Sequence, residues 1–67
     1  MNVLYVDDFG NCYAVKNTDV IPQIGNKVGL FNYVPRPRVS VVLIHPPRSE
    51  TEKFKFGSEF DILVVVK

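Results

Sequence analysis

"FDILVVVK", residues 60–67, is the most apolar stretch of the chain, and nothing alternates within Ile62–Val66. Five aliphatic residues suit a strand better than a helix, and the three valines favour a pleated backbone. A continuous apolar run is the pattern of a strand buried on both faces. Ile62, Val64 and Val66 are therefore expected to face the core. Leu63 and Val65 need a second cover, which is either the 46–57 segment or another protein. The second choice implies a homodimer or a heteromer through the second face of this C-terminal strand.

Four more strands are read outward from it. "RVSVVLIH" (38–45) precedes it, and "KVGLFNYV" (27–34) alternates, with Val28, Leu30 and Asn32 opposite Phe31 and Tyr33. Gly29 inside that alternation signals a bulge, a sharp bend or a close backbone approach. "NVLYVD" (2–7) and "NCYAVK" (11–16) flank "DDFG", whose aspartates and Gly10 suit a hairpin turn. Residues 17–26, with Pro22 and Gly25-Asn26, form a long loop.

Between the fourth and fifth strands lies "PPRSETEKFKFGSE" (46–59). Ser49 and Glu52 have the spacing of a helix capping box, and Gly57 supplies a stop, so a short helix is expected over 50–56. The alternative is an extended arm, because Phe54 and Phe56 alternate with Lys53 and Lys55. Five short strands separated by proline- and glycine-rich turns predict an all-β domain spanning 1–67, closed as a five-stranded antiparallel barrel. The stretch "IPQIGNKVGLF" (21–31) resembles the strand approach of small SH3-like barrel proteins of bacterial and phage type. That resemblance implies a small barrel and no particular activity.

Composition narrows the function. The chain has 67 residues, 46% of them hydrophobic, with one Cys, one His and a net charge of +1. One cysteine cannot close an internal disulfide. No signal-peptide pattern follows Met1, and no run approaches the roughly 20 apolar residues of a membrane span. The expectation is a soluble protein of the reducing cytoplasm. A chain this small buries only about 60% of its unfolded surface, so support from an oligomer is in keeping with its size.

No Cys/His set for zinc and no glycine-rich phosphate loop is present, so no metal or other cofactor is expected. Cys12 and His45 form the only nucleophile–base candidate pair. A mid-strand cysteine is more often a buried, inert thiol, and the carboxylates Asp7/Asp8, Glu50/Glu52 and Glu59/Asp61 read as turn or surface charge. The expectation is a protein without catalytic activity.

Charge is uneven along the chain. Residues 27–55 carry a net +4, while 1–26 carry −2 and 56–67 carry −1. "PRPR" (35–38) joins two apolar runs and projects Arg36 and Arg38 from a stiff connection. Candidate partner-binding residues are Tyr33, Arg36, Arg38, Arg48, Lys53, Phe54 and Lys55. They suit a protein-interaction module, of which a small inhibitor is one kind. The alternative is weak nucleic-acid binding through the basic face of 33–55, where cations and aromatics interleave.

Overall fold

The computed structural model describes residues 1–32, 34–52 and 60–67. The fold is mostly sheet: β1 (Val3–Val6), β2 (Cys12–Val15), β3 (Val39–Ile44), α1 (Arg48–Glu52) and β4 (Ile62–Val66). The four strands form one sheet in the order β2-β1-β4-β3. The β1–β2 and β3–β4 pairs are antiparallel, whereas β1 and β4 run parallel with Val3 beside Ile62 and Val6 beside Val65.

This corrects two expectations. The sheet is open and mixed, with β2 and β3 at its edges, in place of a closed antiparallel barrel. Residues 27–34 contribute no strand among the described residues. What remains of that pairing is one bridge between Lys27 and Arg38. The chain turns at Gly29-Leu30, so Val28 and Phe31, three apart, both reach the core while Leu30 stays out. The turn is the sharp bend that the glycine signalled, and a Cβ on Gly29 would sit 3.4 Å from Nη1 of the Arg36 side chain.

Side chains alternate across the sheet and build a core on each face. One face gathers Val3, Ile62, Val64 and Val66 with Val39, and the loop before β3 lays Val28 and Phe31 over them. Phe31 also meets Tyr13 edge-on at 4.8 Å between ring centres. The other face gathers Leu4, Val6 and Leu63, with Cys12, Phe60 and Val65 packed against them. Ile62, Val64 and Val66 thus face the first core as expected, and Leu63 is covered within the chain. β4 is paired on both sides, to β1 and to β3.

Two polar clusters fix the ends of the sheet. At one end Asp61 accepts from the Asn2 amide (2.8 Å) through Oδ2 and from the His45 amide (2.7 Å) through its backbone oxygen. Asn2 Oδ1 accepts from the Asn17 amide at 3.1 Å, so all four strands are tied there. At the other end the buried Asp7 carboxylate organises the β1–β2 turn. Its Oδ1 accepts from the amides of Phe9 (2.9 Å) and Asn11 (2.8 Å), and its Oδ2 accepts from Asn11 Nδ2 (2.9 Å). Gly10 completes the turn at φ 85°, the left-handed conformation that glycine adopts freely.

Helix α1 spans Arg48–Glu52, earlier than the expected 50–56. Ser49 lies inside it and is not its cap; Pro47 stands before the first turn and its carbonyl accepts from the Glu50 amide at 2.9 Å. Proline fits at a helix start because the amide it lacks has no partner there. The stop at Gly57 and the alternating arm 53–56 lie outside the described residues.

Candidate functional site

The strand register brings two loops to the same end of the sheet. β1 ends at Val6 beside Val65, so its turn over 7–11 emerges next to the end of β4. The 34–38 segment reaches that end too, because Arg38 and Lys67 exchange backbone hydrogen bonds of 2.9 and 3.0 Å. The Pro37 carbonyl accepts from the Val28 amide at 2.8 Å, and Arg38 Nη1 donates to the Gly25 carbonyl at 2.9 Å. "PRPR" is thus a braced connection, held on one side by the loop before it and on the other by the end of β4.

A groove of about 410 Å³ runs between the two loops, lined by Asp8, Phe9, Val34, Pro35, Arg36 and the end of β4. Phe9 is 81% exposed and Val34 is 94% exposed. The Asp7 hydrogen bonds fix the turn with Phe9 outside it, and the prolines stiffen the opposite wall. The result is an apolar cleft carrying Arg36 and Lys67 against Asp8. Such a cleft can grip an apolar side chain and select its charged flank. A second cavity of about 310 Å³ lies under the long loop, lined in part by Tyr5, Val20, Pro22, Val28 and Leu30.

Among the described residues, the sequence-derived binding residues Arg36, Arg38 and Arg48 do not come together. Arg36 lines the groove, and Arg38 follows it just before β3, bonded to Gly25. Arg48 lies past the far end of β3 and pairs with Glu52 at 2.8 Å. The six residues of β3 separate Arg38 from Arg48 by about 20 Å, at about 3.3 Å per residue. Tyr33, Lys53, Phe54 and Lys55 lie outside the described residues. Phe9 and Val34 are groove residues that the sequence reading misses. One signal for Phe9 is present there: a large apolar residue at the tip of an Asp-Gly turn has nowhere to bury.

Cys12 and His45 are held apart. Cys12 pairs with Val6 at one end of the sheet, while His45 follows Ile44, which pairs with Ile62 at the other. Burial first, and the Asp7 carboxylate second, push the Cys12 thiol above its ordinary pKa. A thiol held protonated is a poor nucleophile at neutral pH. Among the described residues no group of three or more His, Cys, Asp or Glu is placed to hold a metal ion, and no helix is long and apolar enough to cross a membrane. Comparison with protein-family models, with curated proteins and with solved structures finds no match to this chain.

Proposed function

We propose that this chain is a non-catalytic binding module whose contact surface is the groove between the 7–11 turn and the 34–38 loop. The partner is a protein segment with an apolar anchor and an acidic flank. The observation that carries this reading is the pair Phe9 and Val34, both largely exposed across one cleft with Arg36 and Lys67 beside them. Interfaces concentrate their energy in such apolar anchors ringed by polar groups, with arginine and aromatics prominent. A single cysteine and no disulfide suit a cytoplasmic setting.

Selection of peptides from a random library, followed by amide-shift mapping on labelled protein, tests this. Selected peptides rich in aliphatic and acidic residues should shift 7–11 and 34–38. Phe9→Ser and Val34→Ser should abolish their binding while changing stability by no more than about 0.5 kcal/mol. The nucleic-acid alternative is tested on the same sample with short single-stranded and duplex oligonucleotides at low and physiological salt. Salt-steep shifts around Arg36, Arg38 and Arg48, with no peptide selected, would replace the protein partner with a nucleic acid.

A further inference from the structure

The cavity under the long loop is braced on both sides. Its floor is the sheet face of the first core: Tyr5 on β1, Val15 beside Val3 on β2, and the buried Val28 and Val39. One wall is the 25–28 segment, which is hydrogen-bonded along 37–39. The Gly25 amide donates to the Val39 carbonyl (2.9 Å), the Val39 amide to the Asn26 carbonyl (2.8 Å) and the Val28 amide to the Pro37 carbonyl (2.8 Å). The other wall holds Val20, whose amide donates to Thr18 Oγ1 at 3.2 Å.

Polar groups open onto this apolar floor without partners. Tyr5 is half-buried against the core, yet its hydroxyl is not sealed inside it. Neither that hydroxyl, the Asn26 side-chain amide nor the Lys27 ammonium has a hydrogen-bond or ion-pair partner among the described residues. Burial raises the Tyr5 pKa, so the hydroxyl remains a donor at neutral pH.

We propose that this cavity binds a small organic anion, a carboxylate on a single-ring or short aliphatic body. The body lies on Val15, Val28 and Val39, and the carboxylate pairs with Lys27 and the Tyr5 hydroxyl. At about 310 Å³ the cavity is at the small end of ligand sites, which limits the body to that size. The sign of the charge follows from the lining, where Lys27 is the one ionic group among the described residues. Its surroundings do not cancel it. Over 16–30, Lys16 and Lys27 stand against Asp19, a net of +1, and no acidic residue lies between Asp19 and Glu50. Arg36 adds a further cation near the lining residue Gly29. A neutral apolar ligand would leave Lys27 and the Tyr5 hydroxyl unpaired, and sites select ligands that satisfy their polar groups. The cavity shares no lining residue with the groove, so this proposal does not rest on the binding reading.

Titration of labelled protein with benzoate and hexanoate at low ionic strength tests it, with benzamide as the uncharged control. The expected result is saturable amide shifts at Tyr5, Val15, Val20 and Val28, with benzoate binding about threefold or more tighter than benzamide, as an exposed ion pair allows. Lys27→Gln, at an exposed side chain, should keep the fold and remove that difference. Tyr5→Phe keeps the ring and should weaken benzoate by a similar factor. Absence of saturable shifts at millimolar benzoate and hexanoate overturns the proposal. So does equal binding of benzoate and benzamide, or a response centred on 7–11 and 34–38, which would place the anion in the groove.

Discussion

Two neighbouring strands of nearly the same composition have opposite fates. "ILVVV" in β4 and "VSVVLI" in β3 are both uncharged and rich in β-branched residues. They are hydrogen-bonded to each other, with Leu43 opposite Leu63 and Ile44 opposite Ile62. Leu63 is 2% exposed and Leu43 is 38% exposed; Ile62 is 1% exposed and Ile44 is 54% exposed. Composition made both of them strands. Burial was decided by place: β4 has a strand on each side and cover on both faces, and β3 has neither.

The matched pairs allow one substitution to be made in both environments. Leu63→Ala should destabilise by about 2–5 kcal/mol. Leu43→Ala, measured at dilute concentration, should cost about 1 kcal/mol or less. Urea unfolding of the two variants reads the difference, and equal costs would show that β3 is as enclosed as β4. Asp7→Ala tests whether the far side of the sheet depends on its turn. Loss of three accepted hydrogen bonds at a buried carboxylate should cost about 1–3 kcal/mol, read in the same assay. A finer contrast comes from the second pair, where Ile62→Val should cost about 0.5–1.5 kcal/mol and Ile44→Val less than about 0.5 kcal/mol.

The smallest effect separates the two sides of β4 by pH. β3 carries no titratable side chain, whereas β1 and β2 carry Tyr5 and Cys12. Burial raises the Tyr5 hydroxyl pKa, and burial with the Asp7 carboxylate raises that of Cys12. The folded state therefore keeps both protons to higher pH than the unfolded chain does. Stability present at neutral pH is lost as pH rises through these raised values, Cys12 first from the ordinary thiol range upward, then Tyr5. Thermal melts across alkaline pH should show this fall, and Cys12→Ser should flatten its first part. A fall that begins only in acid would contradict it.

Local patterns are legible in the sequence, and long-range pairing is not. The β1–β2 hairpin follows from Asp7 and Gly10, whose turn chemistry acts within five residues. The two-faced burial of β4 follows from its lack of alternation. The parallel β1–β4 pair leaves no local mark, because register between residues 59 apart is set by packing alone. Residues 27–34 mislead for the converse reason. Their period of two is real, yet the chain turns at Gly29, and Val28 and Phe31 are buried at a spacing of three. For the candidate site, Arg36 is readable from its proline frame. Phe9 and Val34 become neighbours only through the β1–β4 register, which no local spacing encodes.

The position of β4 also governs the order of assembly. Within this sheet it is the strand synthesised after all the others, yet both of its neighbours depend on it. Until it arrives, β1 and β2 form a lone hairpin, which is marginal in water, and β3 has no strand partner. The contacts that complete the sheet join residues near 3–6 to residues near 62–65, so their formation closes the chain between them into one long loop. Proteins dominated by such distant contacts fold slowly for their size. A nascent chain on the ribosome therefore holds its apolar strands unsatisfied until β4 has cleared the exit tunnel.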